Sequence, residues 1–170
     1  MSNISIEKLD TKNFSRFGSV IIKNNATELR PINQGTTTRF HNISELSLEN
    51  KNGNSAISIF SGTPRSFPIE IKIMEKHPIA SQSFLPIQNH DWLIVVSEEK
   101  NELPDLNTLR CFHVDGDTGI TYKKNVWHHP LLVKKKQDFW IIDRINDQED
   151  SSINLKEYHF KKNETRFINL

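Results

Sequence analysis

The chain of 170 residues contains a single cysteine, Cys111. One cysteine excludes an internal disulfide and fits a reducing compartment, so we expect a cytoplasmic protein. It also excludes a zinc finger, which needs a pair of cysteines. Because Cys111 lies among Leu109, Arg110 and Phe112, we predict a buried structural thiol rather than a nucleophile.

An excess of charge of one sign is also missing. Twenty-two basic and 21 acidic residues leave a net charge of +1, so no global field draws the protein to nucleic acid or to an anionic membrane. The one cationic run, Lys134–Lys136, is typical of solvated surface. No apolar run approaches the roughly 18 residues that span a bilayer, and the N-terminal segment has no signal-peptide core. We therefore expect neither nucleic acid nor a membrane as a partner.

Several catalytic and binding motifs are absent. The sequence has no glycine-rich phosphate loop, no G-x-S-x-G elbow and no credible Ser/His/Asp order. It has no repeat, no low-complexity segment and no helical pattern longer than two turns. About ten short strands, spaced 8–12 residues apart and separated by turn signals, predict an all-β sandwich or jelly-roll barrel with a few helical turns.

The strand and turn signals can be placed along the chain. Asp10 is predicted to cap a helical turn over 11–16, and Asp105 a second one over 106–109. The apolar run Trp92–Val96 predicts a buried strand, and 43–54 reads as a loop. We expect one domain over residues 1–170, with a tail at 145–170 that lies against the body or a second subunit.

The segment from Ile69 onwards carries the first candidate site. Its residues alternate, so Ile69, Ile71, Ile73, Glu75 and His77 are predicted to share one inward face of a strand. Burying an unpaired carboxylate costs several kcal/mol, so the Glu–His pair should be matched by a cation, a metal or a substrate.

A neighbouring strand extends this pattern. After Pro78 interrupts the ladder, Gln82 and Phe84 share a face, so that Glu75-x-His77-x4-Gln82 delivers three polar groups to one surface in the mouth of a barrel. The alternative is an edge strand whose Glu–His tip is solvated.

A second cluster contains the adjacent pair His128 and His129, beside Trp127 and Pro130. Adjacent residues of a strand project to opposite faces, so at most one histidine joins the inward site. Together with the Glu, His and Gln of the first cluster, it completes a mixed N/O set suited to nickel, zinc or manganese.

Three arginines lie near predicted strand ends, Arg39, Arg110 and Arg144. A forked guanidinium is the natural partner for a small carboxylate. Surface ion pairs are the alternative for each of them.

These motifs together resemble the ureidoglycolate lyase family between about residues 14 and 144. The most specific stretch is Asn125–Leu131, while 133–136 and the tail have no matching motif. The matching motifs are Arg39-Phe40-His41, Glu75-Lys76-His77-Pro78, Gln82-Ser83-Phe84-Leu85-Pro86, Pro104-Asp105-Leu106, Leu109-Arg110, Phe112, Gly119, Tyr122, Asn125-Val126-Trp127-His128-His129-Pro130-Leu131, Asp138-Phe139 and Ile142-Asp143-Arg144.

The resemblance implies a cupin-type jelly-roll β-barrel, dimeric, that cleaves (S)-ureidoglycolate to glyoxylate and urea in allantoin and purine catabolism with nickel as the metal. Glu75-x-His77-x4-Gln82 resembles the first cupin metal motif, His-x-His-x4-Glu, with two of the three ligand positions changed. His128 takes the position of the single histidine in the second motif.

On this basis each candidate has an expected role. The metal ligands are Glu75, His77, Gln82 and His128. The catalytic residues are Glu75, His77, His128 and His129. The substrate-binding residues are Arg39, Gln82, Arg110, Tyr122, Trp127 and Arg144. Two other functions remain open, an amidohydrolase that releases ammonia from the same substrate and a non-catalytic cupin that binds a small 2-hydroxy acid.

Overall fold

The computed structural model describes residues 2–48, 52–146 and 148–169. Short strands dominate it, which confirms the predicted all-β, cupin-like fold. The strands are β1 (Ser2–Ile4), β2 (Ile6–Lys8), β3 (Gly18–Ile21), β4 (Glu28–Ile32), β5 (Thr37–His41), β6 (Asn54–Gly62), β7 (Ile69–Ile71), β8 (Ile73–Lys76), β9 (Gln82–Pro86), β10 (Trp92–Ser97), β11 (Glu99–Lys100), β12 (Leu103–Pro104), β13 (Arg110–Val114), β14 (Gly119–Tyr122), β15 (Trp127–His128), β16 (Leu132–Val133), β17 (Gln137–Ile145), β18 (Lys156–His159) and β19 (Arg166–Ile168). The helices are α1 (Thr11–Phe14) and α2 (Asp150–Ile153), and 3-10 turns cover Lys23–Asn25, Asn33–Gly35 and Lys162–Glu164.

Two large sheets enclose the first core. One has the order β3-β14-β9-β17-β6, and the other has the order β18-β8-β15-β10-β13-β2, with β16 also paired to β10. Trp92, Ile94 and Val96 of β10 meet Phe84 and Ile141 of the facing sheet in this core. The alternation of strand side chains therefore directs every second residue of β10 inwards.

A smaller sheet, with the order β1-β19-β7, contributes to a second core. In that core Ile69 of β7 and Ile168 of β19 join Leu93 and Val95 of β10. Because β10 is buried on both faces, its residues from Trp92 to Val96 form an uninterrupted apolar run rather than an alternating one.

The predicted face of three isoleucines that continues into Glu75 is wrong. Ile71, the last residue of β7, belongs to the second core, and so does Met74 of β8, three positions later. Lys72, between the two strands, lies outside both ladders. A shift of one residue moves every later side chain to the other face of the sheet. Glu75 therefore lies on the opposite face from Ile71.

The C-terminal tail packs on the body of the chain. β18 pairs with β8, and β19 lies between β1 and β7. Of the two orientations that the sequence left open, the structure therefore has the tail against its own chain. Within this tail, Asp150–Ile153 form the helix α2.

Local predictions can be compared with the same structure. The Asp10 carboxylate accepts the N–H of Asn13, as expected of a helix cap. Asp105 closes only a turn, accepting the N–H of Asn107 on its carboxylate, so the second predicted helix is absent. Cys111 is buried, which raises the pKa of its thiol to about 12. In the predicted loop at 43–54, residues 49–51 lie outside the described ranges.

Neither helix of the described ranges is long and apolar enough to cross a membrane.

The second core should contribute strongly to stability. Replacing the fully buried Ile71 with Ala removes apolar contacts in that core, and we expect the free energy of unfolding to fall by about 2–5 kcal/mol. Leu103, half exposed on β12, is the matched control, and its change to Ala should alter stability by no more than about 0.5 kcal/mol. Guanidinium titration measures both values. Equal losses would contradict the assignment of Ile71 to a core.

Candidate active site

A carboxylate and two imidazoles meet at one end of the first core. Glu75, His77 and His128 each place one ligating atom within 4.8 Å of the other two. Glu75 of β8 and His128 of β15 are direct cross-strand partners, with Nε2 of His128 3.5 Å from Oε1 of Glu75. The rings of His77 and His128 are 5.4 Å apart. The strand pairing therefore creates the cluster.

Hydrogen bonds set the tautomers of both imidazoles. Nδ1 of His77 lies 2.8 Å from the carbonyl of Asn154, and Nδ1 of His128 lies 2.9 Å from the carbonyl of Val126. A carbonyl can only accept, so each Nδ1–H donates and each neutral ring keeps its lone pair on Nε2. Both Nε2 atoms are buried and make no hydrogen bond to the described residues.

This arrangement fits a divalent cation. Two imidazole nitrogens and a carboxylate oxygen are donors that zinc or nickel accepts. Metal-bound histidines usually donate their second N–H to a carbonyl or carboxylate, as His77 and His128 do here. The cluster thus provides the metal ligands, and the main-chain carbonyls of Asn154 and Val126 orient its two imidazole rings.

The protonation states follow from burial and charge. Burial alone would raise the pKa of Glu75, but His128 and His77 beside it bring the pKa below its ordinary value. Burial, and then the neighbouring His128, lowers the pKa of His77. At neutral pH the site therefore contains an ionised carboxylate and an unprotonated His77.

A cavity of about 310 Å³ opens beside His77. Gln82 of β9 lines it, and its Nε2 donates to Oδ2 of Asp143 at 3.1 Å. Burial raises the pKa of Asp143. Tyr122 stacks on His128 with ring centroids 4.2 Å apart. The structure thus places Gln82 and Tyr122, both predicted from the sequence, at or beside the histidine cluster.

The two adjacent histidines diverge, as strand geometry requires. His128 enters the cluster, whereas His129 donates from Nδ1 to the carbonyl of Pro130 at 2.6 Å. His129 lines a separate cavity of about 290 Å³ that also contains Arg65. Burial lowers the pKa of His129 to about 4. The predicted catalytic role of His129 therefore has no support from the geometry of the cluster.

Three residues predicted to bind substrate lie elsewhere. Arg39 is exposed on β5, in a separate two-stranded sheet. Arg110 shares the cross-strand row of His128, but its guanidinium binds the carboxylate of Glu7 at 2.5 and 3.0 Å. Trp127 faces the second core, where the Lys76 ammonium lies 4.9 Å from its ring centroid. Arg110 is not available for substrate because Glu7 occupies its guanidinium. Trp127 is not at the site because it lies on the opposite strand face from His128.

Arg144 is the predicted arginine that does border the cavity. It is buried, and its guanidinium forms an ion pair with Asp150 of α2. The tail therefore takes part in the site, because it holds this arginine in place.

Asp143 and Asn154 are among the cavity residues that the sequence reasoning missed. Asp143 has the same strand parity as the inward-facing Phe139 and Ile141, and that alternation was a usable signal. Asn154 orients His77 through its main-chain carbonyl. A contact through a main-chain carbonyl does not depend on the side chain, so no sequence pattern could have predicted it.

The fold and the cluster together define a class, a cupin-like enzyme with a metal-competent His/Glu site that opens on a small cavity. A family model described as ureidoglycolate lyase matches residues 1–166. Ureidoglycolate lyase 1 of Rhizobium meliloti (strain 1021) is 40% identical over 92% of this chain and 89% of its own length. The ureidoglycolate lyases of Brucella anthropi and Rhizobium etli are 38% and 39% identical, over 94% and 97% of this chain and 91% and 94% of theirs. The chain belongs to the ureidoglycolate lyase family and is a lyase.

The buried His129 should make stability depend on pH. Its pKa is about 4 when folded and 6.5 ordinarily, so the unfolded chain binds more protons between these values. The stabilisation is complete above about 6.5 and is lost as the pH falls through about 4. We expect His129→Gln to flatten the decline in unfolding free energy across this window, measured by denaturant titration. The exposed His159 provides the control, since His159→Gln should keep the wild-type slope. An unchanged slope in His129→Gln would contradict the assignment.

Proposed function

We propose that the protein cleaves (S)-ureidoglycolate to glyoxylate and urea at the cluster of Glu75, His77 and His128. The observation that carries the proposal is this set of a partly buried, ionised carboxylate and two oriented imidazoles in a member of the ureidoglycolate lyase family. The relatives favour neither the amidohydrolase nor the non-catalytic alternative. We also propose a cytoplasmic location, which the single buried cysteine fits, and a role in allantoin and purine catabolism, which membership of the family implies.

The substrate determines what the site must supply. Its central carbon carries a hydroxyl, a carboxylate and a ureido nitrogen. Breaking the carbon–nitrogen bond requires a base for the hydroxyl proton, an acid for the leaving nitrogen and positive charge for the carboxylate. The hydroxyl oxygen becomes the aldehyde oxygen of glyoxylate as urea departs.

Glu75 is the proposed base, because its carboxylate is ionised and can accept a proton. The hydroxyl and the leaving nitrogen are bound to the same carbon, so one carboxyl group can accept the proton from the first and deliver it to the second. His128, whose Nε2 lies 3.5 Å from Oε1 of Glu75, would accept a hydrogen bond from the carboxylic acid that exists between the two transfers.

Positive charge for the substrate carboxylate would come from Arg144, which lines the cavity. Glu75, His77 and His128 would hold the divalent metal, proposed to be nickel. When bound, such a cation supplies Lewis acidity to oxygen atoms of the substrate. The carbonyl groups of Asn154 and Val126 would keep both imidazole rings oriented for it.

We also propose a homodimer formed through β6. This strand of nine residues ends the five-stranded sheet and contains neither a charged residue nor proline. Such an edge invites pairing with another strand. Ile57 and Ile59 of β6 are 70% and 52% exposed, and Trp140 of β17 is 47% exposed beside them. A second copy could pair antiparallel with β6 about a two-fold axis and cover the same apolar face.

Removal of one imidazole tests the catalytic proposal. We expect His128→Ala to lower the release of both urea and glyoxylate by at least about a hundredfold, since it removes a proposed metal ligand and the neighbour of Glu75, whose acid–base role is worth about 10²–10⁴-fold. The same variant should retain less nickel after chelation and reconstitution, measured by elemental analysis. His159→Ala, at an exposed position, is the matched control. Near-normal turnover in folded His128→Ala would refute the assignment, and ammonia in place of urea would indicate an amidohydrolase.

Charge placed on β6 tests the dimer. The double variant Ile57→Lys, Ile59→Lys places two cations on the proposed interface. It should leave the fold of the monomer intact, because both side chains are exposed. Analytical ultracentrifugation should report a dimer for the wild type and a monomer for the double variant. Leu29→Lys, on the exposed strand β4, should remain dimeric. A monomeric wild type, or a double variant that still dimerises, contradicts the proposal.

A further inference from the structure

Gln82 and Asp143 form a pair with two unused oxygen atoms. The pair faces across β9 and β17, and Nε2 of Gln82 donates to Oδ2 of Asp143 at 3.1 Å. Oε1 of Gln82 and Oδ1 of Asp143 are buried and have no hydrogen-bond partner among the described residues. Both residues line the cavity beside His77. The cavity wall therefore presents an amide oxygen and a carboxylate oxygen, and both of these atoms are acceptors.

Buried polar atoms without partners are uncommon, because each one loses its hydration without gaining a hydrogen bond. Two neighbouring acceptors, one of them anionic, are complemented by a group that offers at least two donors. A ligand carboxylate would place like charges together at Asp143, so it does not fit this part of the cavity. A neutral amide with several N–H groups does.

The ureido group has this chemistry, with three N–H donors and one carbonyl. We propose that Gln82 and Asp143 bind the ureido end of the substrate and thereby select it over 2-hydroxy acids that lack N–H groups. The inference rests on the proposed cleavage of ureidoglycolate and adds the residues that decide its specificity. Asp143 also gives the substrate a direction, because its charge keeps the carboxylate end away from this position.

The location of the pair supports the same role. Gln82 is the cross-strand partner of Tyr122, and Tyr122 stacks on His128. His77 of the catalytic cluster borders the cavity that contains the pair. A group held by Gln82 and Asp143 therefore lies in the same cavity as His77, which is proposed to hold the metal.

Asp143→Asn tests the proposal, because it removes the charge with little change in size. We expect KM for ureidoglycolate to rise about 10–100-fold with little change in kcat, as for loss of a hydrogen bond to a charged group made before and during reaction. Inhibition by urea should weaken to a similar extent, while inhibition by glyoxylate stays within about twofold of wild type. Gln82→Met, which removes the other acceptor at similar volume, should act in the same direction.

Asp138→Asn is the matched control on the same strand, since Asp138 accepts from Ser61 and does not line this cavity. Unchanged KM and unchanged urea inhibition in folded Asp143→Asn would overturn the inference. Loss of bound nickel with unchanged urea inhibition would also overturn it and would assign the acceptors to the cation. If the wild type does not cleave ureidoglycolate, the proposed function fails. Calorimetric titration of urea into wild type and Asp143→Asn then decides the specificity assignment separately.

Discussion

Glu75 and His128 face one another across two antiparallel strands, at one end of a core of aromatic and aliphatic side chains. An isolated carboxylate in such surroundings would be strongly disfavoured, so its imidazole neighbours are a condition for its presence there. The same contacts keep the pKa of Glu75 low, although burial acts in the opposite direction. The pairing of β8 with β15 therefore determines both the position of Glu75 and its charge state.

The C-terminal tail also positions side chains of the site. Asn154 accepts a hydrogen bond from His77, and Asp150 pairs with Arg144, so residues just after β17 orient two groups on the walls of the cavity. β18 then pairs with β8, the strand that carries Glu75. A segment whose sequence is typical of a polar connection thus supports the site through hydrogen bonds, an ion pair and strand pairing. Its polar residues, which made it resemble a surface loop, are the ones that contact His77 and Arg144.

The accuracy of prediction followed the range of the interactions involved. The cap at Asp10 and the buried strand around Ile94 depend on nearby residues, and both were predictable. The face shared by Glu75 and the isoleucines was mispredicted, because one residue outside the ladder at Lys72 reverses the alternation. Arg110 shows the same limit, since Glu7, which occupies its guanidinium, lies more than a hundred positions away.

The amino-acid sequence by itself determined the all-β class and the family, and it named Glu75, His77 and His128 as candidates. These features follow from composition, short-range alternation and local motifs. Only the tertiary structure decided that His128 rather than His129 enters the cluster. It also decided which residues of the tail complete the site. Those outcomes depend on strand register and on contacts between distant segments, and no local pattern encodes them.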